Sequence, residues 1–447
     1  MKKADYVNTI IKICIFLSII TCSFDIFANV IIAGLNFRFC QFVLLPVMIF
    51  LLYSIIRSRK IKGFLGMEYL LIWLAFQIIF VFRSPDLSNA VAYVLWLIFN
   101  IWTVYLIYYY TDVAFTIEEL MVIYLNSFFF MAVLGIIQMF LFFCNINLYV
   151  TQYWNKYLCR INGFTYEPSY YATYMLMGFV MYAYLLEKGN ENIMKQKVLA
   201  IKFVFVAVAI VLSSSRMGWL MMVVWLYIRG INLLMHFVKK RKGGWSYKQV
   251  VLLVSIILFI LLSLYAIWIK LFKNGPLSFL LSGMGVYGKP AHSVKSRISG
   301  LLQTLEIFME NPFLGVSLGG VDPAVVQRNG MVYNNSLNGC AMSIIGELLV
   351  SSGIIGLIPF MLYIGKLIKG TKWWRKDFDL CRLANVYRAV EWALIFELLI
   401  LCFNQNILRV YVWIHIGILC ALYKRTDIEN YDNVDLKENT VLETDKA

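Results

Sequence analysis

The sequence predicts an all-α protein that crosses a membrane many times, a polytopic bundle of about twelve transmembrane helices, on three observations. Of 447 residues, 61% are hydrophobic and only 15% charged, against roughly 25% charged in a soluble globular chain. About a dozen apolar runs punctuate the chain, each near the roughly 20 residues that cross a bilayer's hydrocarbon as a helix. The basic residues, which give a formal net charge of +15, gather in alternate connections between those runs.

Taken in order, the runs fall at residues 9 to 34, 39 to 56, 67 to 82, 89 to 110, 117 to 143, 168 to 186, 198 to 213, 217 to 238, 250 to 272, 341 to 365, 386 to 403 and 407 to 423. The first lacks a small-residue cleavage site after a short apolar core and reads as a retained signal anchor. Arg57, Arg59, Lys60 and Lys62 follow the second run, Lys188, Lys195 and Lys197 the sixth, Lys239 to Lys242 the eighth, and Lys366, Lys369, Lys372, Arg375 and Lys376 the tenth. Cationic loops are retained in the cytoplasm, so these connections lie inside. Lys2 and Lys3 before the first run, and Lys424 and Arg425 after the last, place both termini inside too. The loop at 111 to 116 has no basic residue and follows by parity; Thr116 and Glu119 are spaced as a capping box for the fifth helix.

Orientation explains most of the surplus charge. The basic runs are short and juxtamembrane, which excludes a nucleic-acid partner and leaves membrane lipids as the contact. No metal-ligand spacing and no cofactor motif is present. Most of the nine cysteines sit inside spans as small apolar residues, while Cys144 and Cys159 flank one outer loop and are open to pairing in an oxidising compartment. Residues 1–426 read as one membrane domain, and 427–447 as a polar, disordered cytoplasmic tail.

The longest connection, 273–340, falls outside, and loops of this length are usually functional. It holds an amphipathic helix: Ile298, Leu301, Leu302, Leu305 and Phe308 recur at helical spacing. Pro312 ends that helix, and Gly315, Gly319 and Gly320 permit a tight turn against whatever the loop covers. The stretch G-V-S-L-G at 315–319 matches a nucleophile-elbow pattern, but that motif needs a preceding strand, and here a helix precedes it. The apolar runs also bury acids, Asp25, Glu347, Glu391 and Glu397, which are costly in a membrane and have Arg388 or Lys202 as available partners.

Basic residues are sparse on the outer side, so the arginines there, Arg160, Arg216, Arg297, Arg328 and Arg409, stand out. Planar forks suit carboxylates and phosphates; the alternative for each is to snorkel at the interface. Three of them head local patterns. Arg160 opens R-I-N-G-F-T-Y-E-P-S-Y-Y-A, Arg216 sits in S-S-S-R-M-G-W-L, and Arg297 is the second residue of S-R-I-S-G-L-L-Q-T-L-E-I-F-M-E-N-P-F-L-G-V-S-L-G-G. Together with Gly135 and Gln138, Asn335 and Ser336, and G-I-I-G at 353–356, the series over roughly 120–365 resembles the bacterial O-antigen ligase and Wzy-type polysaccharide polymerase superfamily.

The resemblance implies a GT-C-like fold in the bacterial cytoplasmic membrane and a glycosyltransferase that needs no metal. Its substrates would be polyprenyl-pyrophosphate-linked oligosaccharides at the outer face, and its partners a flippase and a chain-length regulator. In that reading Arg216 and Arg297 hold the pyrophosphate, and Arg160 holds it or the second lipid-linked substrate. Arg328 and Arg409 are further substrate contacts. At an effective dielectric of about 20, each charge pair near 4 Å is worth roughly 4 kcal/mol, enough for a few guanidiniums to stabilise the leaving group. Glu167, just before Pro168, is the candidate general base, with helix-dipole compensation as its alternative; His292 is a second candidate in the loop. His236 and His415 belong to the inner side or the bundle. Ligases of the superfamily carry a His shortly before the span that follows the long loop. The stretch N-N-S-L-N-G-C-A-M has none, which favours a polymerase over a ligase and leaves Asn335 and Asn338 to orient a hydroxyl and Tyr333 to stack on a sugar, unless the asparagines serve turns. A lipid-linked oligosaccharide flippase is the reading from another class; no inverted repeat supports it.

Overall fold

The computed structural model describes residues 2–32, 35–59, 61–153, 158–189, 193–240, 270, 292–331, 343–369, 383–403 and 407–424. The helices among them are α1 (Lys2–Thr21), α2 (Phe39–Ser58), α3 (Met67–Phe80), α4 (Leu87–Tyr110), α5 (Ile117–Phe143), α6 (Pro168–Lys188), α7 (Gln196–Leu212), α8 (Arg216–Lys240), α9 (His292–Glu310), α10 (Val321–Arg328), α11 (Ile344–Lys369), α12 (Ala384–Leu401) and α13 (Val410–Lys424). Of the predicted span at 250–272 only residue 270 is among the described residues; each of the others falls on a helix, the first only in part. Of these, α2, α4, α5 and Ile344–Ile368 are long and apolar enough to cross a membrane, and Tyr6–Thr21 and α13 are shorter apolar helices.

The first predicted span runs too far. Its helix ends at Thr21, and Phe24 and Asp25 turn out of it. Apolar composition continued past this point, but Val30–Ile32 and Leu35–Phe37 form an antiparallel hairpin, β1 and β2, that returns the chain to α2. A second small hairpin, β3 (Gln152–Tyr153) and β4 (Cys159–Arg160), follows α5. Among the described residues the fold is otherwise helical, as expected.

The chain divides into two units, one of Met1–Trp219 with Gly300–Ala447, the other Leu220–Ser299. Within the second, the described part is chiefly the α8 segment from Leu220, where the Arg229 guanidinium sits 5.6 Å from the Trp225 ring centroid.

In the first unit α6 packs on α12 and α7, α3 on α11, and α1 on α2 and α5. Helices α6, α12 and α13 are buried on nearly all sides, the condition of helices at the centre of a bundle. By contrast α2 and α3 present exposed Ile49, Tyr53, Ile78 and Ile79. The capping box of α5 forms: the Glu119 amide donates to Thr116 Oγ1 and the Thr116 amide to Glu119 Oε2, both at 3.2 Å. Cys144 and Cys159 do not pair. Cys144 is exposed at the end of α5, whereas Cys159 is buried against Met139 Sδ at 3.5 Å, and burial pushes its thiol up to about 11.

Helix α9 ends two residues before Pro312, as expected, but its inward face in the first unit is carried by Thr304 and Ile307, with Leu302 exposed. Ile307 packs with Val321, Val325 and Val350. The glycines after it serve close approach. At Gly353 α11 is broken (φ 57°, ψ −176°), and the irregular segment 312–317 lies along the break. Ile354 N donates to Pro312 O at 2.8 Å, Val316 N to Val350 O at 3.1 Å and Ser317 N to Ser351 O at 3.0 Å. A Cβ at Gly315 would stand 1.9 Å from Ser351 O, and one at Gly319 2.4 Å from Asn89 O. Gln77 ties the turn down, accepting from Leu318 N at 3.0 Å and donating to Ser352 Oγ at 2.8 Å. Ser317 is thus a buried residue of a threaded turn, not a nucleophile on an elbow.

Candidate functional site

The turn that begins at Arg160 is built from inside the bundle outward. Gln138, on α5, accepts the amides of Asn162 (2.9 Å) and Gly163 (3.0 Å) on Oε1, and its Nε2 donates to the Leu148 carbonyl at 2.7 Å. Asn162 Nδ2 donates to the carbonyls of Thr165 (2.7 Å) and Tyr149 (3.1 Å). Gly163 has a left-handed φ of 53°, and a Cβ there would meet Met131 at 2.8 Å. Gly135 leaves room for Tyr171, whose hydroxyl would lie 2.5 Å from a Cβ at that position. The Gln138, Asn162 and Thr165 side chains are buried, where an unmade hydrogen bond is costly, so the spacing of Gly135, Gln138 and the I-N-G-F-T turn reflects one interlocked structure.

That turn delivers Arg160 to the start of α8. Its guanidinium donates through Nε to Ser213 O at 3.3 Å, through Nη2 to Ser214 O at 3.2 Å, and through Nη1 to Gln152 Oε1 at 2.6 Å. Ser214 has a φ of 56°, and Gly218 lets α8 begin against α6, since a Cβ there would lie 3.0 Å from Ala172 Cβ. The motifs around Arg160 and Arg216, far apart in sequence, therefore meet. Arg216 itself is half-buried at the first residue of α8. At the other end of the turn, Glu167 is half-buried at the N-cap of α6. Its carbonyl accepts the amides of Tyr170 and Tyr171, and its carboxylate accepts Ser169 Oγ at 2.9 Å.

A second cluster holds the turn from its other side. Asp25 Oδ1 forms an ion pair with Arg38 Nε at 3.0 Å and accepts from Arg409 Nη1, while Oδ2 takes the Tyr166 amide at 3.2 Å. The Asp25 amide donates to Phe164 O at 2.8 Å, and the Arg409 guanidinium stacks 4.0 Å from the Tyr170 ring centroid. Phe24, Phe27, Tyr149 and Phe164 pack ring to ring beside it.

Arg328 goes elsewhere: it forks onto Glu306 (3.2 Å) and Glu310 of α9. Arg297 and His292 lie on α9, their side chains outside the described residues, as are Tyr333, Asn335 and Asn338. Among the buried acids, Asp25 pairs with arginines rather than the partners expected, and Lys202 donates to Asn126. Glu397 sits 3.7 Å from His415. His415 Nε2 is 2.8 Å from the Val390 carbonyl, so it carries the proton, and Nδ1 accepts from Tyr124 Oη at 2.8 Å.

Sequence reasoning passed over Arg38 and the role of Asp25. The available signal was Arg38 itself, a basic residue in a connection assigned to the outer side.

No curated protein matches the chain. Residues 201–361 match the family model described as O-antigen ligase, so that stretch is similar to the family that the arginine motifs resemble.

Proposed function

We propose that this protein is a polysaccharide polymerase of the bacterial cytoplasmic membrane. It would transfer a growing glycan from polyprenyl pyrophosphate to a hydroxyl of a lipid-linked repeat unit at the outer face. The family match points to a glycan transferase of the ligase or polymerase type. The observation that carries the reading further is the hold of Arg160 on Ser213 and Ser214, which brings its turn, with Glu167 at the far end, to the residues just before Arg216. The anomeric C–O bond to the diphosphate breaks and one to the acceptor oxygen forms. The acceptor proton passes to Glu167, and the charge left on the lipid diphosphate is taken by Arg216 and Arg297. Arg160 then acts chiefly by positioning, because three of its donors are already spent on protein acceptors. The twelve-span, GT-C-like arrangement and inward termini belong to the same proposal.

The pattern of side-chain links supports the topology. Lys424 with Asp112 (2.9 Å), Lys366 with Glu68 (3.0 Å) and Asn385 with the Lys188 carbonyl (3.1 Å) join connections assigned to the inner side. Arg38, Arg409 and Tyr166, gathered on Asp25 just past the end of α1, Arg83 with Asn311, and Arg160 with Ser213 join connections or helix ends assigned to the outer side.

Purified protein reconstituted with lipid-linked repeat units should form polymer. Arg216→Ala and Arg297→Ala should abolish it, and Glu167→Gln should slow it by about 10²- to 10⁴-fold, the usual worth of a general base. No polymer, beside an active comparator, would overturn the reading. The family description favours one second reading, a ligase passing finished chains to another acceptor; a deletion strain that accumulates long chains on the carrier lipid would select it.

A further inference from the structure

We propose that Arg38 and Arg409, gathered on Asp25, form a second phosphoryl-binding seat, and that its occupant is the diphosphate of the acceptor. The inference rests on the polymerase reading. Two guanidiniums converge on one carboxylate oxygen, and neither has another carboxylate within ion-pair distance among the described residues. The cluster therefore keeps one unbalanced positive charge. That surplus lies partly out of water: Arg409 is 5% exposed, and its Nε has no hydrogen-bond partner. Buried charges are normally paired and their donors satisfied, so an additional anion fits here. Arg38, with 21% of its side chain exposed, is the reachable member, and only its Nε is spent on Asp25, which leaves the terminal nitrogens as a fork. Phosphate oxygens match such a fork.

The reaction itself calls for two seats. A polymerase joins two substrates that each carry a diphosphate at the headgroup level, and Arg216 and Arg297 serve only the donor. A ligase whose acceptor lacks a diphosphate needs one. The seat is also anchored to the turn that carries the base: Asp25 Oδ2 holds the Tyr166 amide next to Glu167, and Arg409 stacks on Tyr170 three residues beyond it. An acceptor held by its diphosphate at Arg38 is thereby tied to the segment that would take its proton.

The test counts diphosphates. Full-length protein in nanodiscs of neutral phospholipid is titrated with farnesyl diphosphate, and bound molecules are counted by native mass spectrometry. Wild type should bind two per chain. Arg38→Gln, with an unchanged melting temperature, should weaken one of the two by about tenfold to a hundredfold, the worth of a hydrogen bond to a charged group. Arg38→Lys, which keeps the charge without the fork, should fall between and covers the case in which the glutamine variant does not fold. A wild type that binds one, or Arg38 variants that keep both sites at full strength, would overturn the seat. Loss of the Arg38-dependent site when phosphatidylglycerol replaces the neutral lipid would assign it to a headgroup and overturn the acceptor. The polymer assay on the same preparation keeps the two readings apart, since polymer made by a one-site protein sinks the seat alone.

Discussion

Arg160 Nη2 donates to the carbonyl of Ser214 at 3.2 Å across a sequence separation of 54 residues. Ser214 is held at a left-handed φ, two residues before Arg216, so the guanidinium fixes the backbone from which α8 starts. Lysine at position 160 reaches one acceptor where arginine reaches three. Arg160→Lys should lower polymer formation by about tenfold or more, since charge-assisted hydrogen bonds are worth roughly 1.5–3 kcal/mol each, while the protein still accumulates in the membrane. Initial rates with lipid-linked repeat units check this, and wild-type rates would remove Arg160 from the assembly of the site.

Asp25 is the only carboxylate within ion-pair distance of Arg409 among the described residues. Asp25→Ala strands a buried guanidinium, and breaking such a pair typically costs about 3–5 kcal/mol. The variant should melt well below wild type in detergent, and Asp25→Asn, which still offers the Tyr166 amide an acceptor, should lose less. Equal losses would mean that the acceptor kept for the Tyr166 amide contributes nothing, and an Asp25→Asn variant as stable as wild type would mean that the charge of Asp25 is irrelevant.

Gly315 faces the Ser351 carbonyl so closely that a Cβ would overlap it at 1.9 Å. Overpacking of this kind usually costs about 1–3 kcal/mol or more, and here the obstacle is backbone. Gly315→Ala should reduce accumulation of folded protein, read by fluorescence-detected size exclusion. At Gly330, where a Cβ would meet nothing within 4 Å but φ is +71°, alanine should bring only the smaller cost of a strained turn.

Cys144 is exposed at the end of α5, and Cys159 is buried with its thiol pushed up to about 11. A raised value leaves less thiolate at pH 8, and thiolate is the reactive form. In single-cysteine chains, an impermeant maleimide applied to intact cells should label Cys144 and scarcely label Cys159. Labelling of Cys144 only after the cells are opened would reverse the assigned orientation.

The helices were legible because apolar runs and flanking charges are local properties, and α5 was legible down to its cap at Thr116. Past Thr21 the same apolar signal misled: Phe24, Phe27 and Val30 are as hydrophobic as a span, but they belong to a turn and hairpin held by Asp25. The order of motifs marked Arg160 and Arg216 as belonging together, yet nothing in either stretch says that the first holds the carbonyls before the second. Arg328 and Arg409 looked alike in sequence, each a lone arginine on the outer side. Only their partners separate them, exposed Glu306 and Glu310 for one and buried Asp25 for the other. The second of these pairings joins residues 384 positions apart, beyond the reach of any local pattern.

The threading of 312–317 along the break in α11 has a consequence for engineering. A chimera made to alter the polymer by exchanging the external loop alone would cut through the backbone bonds to Val350, Ser351 and Ile354. The transplantable module therefore reaches past the loop to residue 355, and donor and recipient must be spliced beyond it for a hybrid to mature.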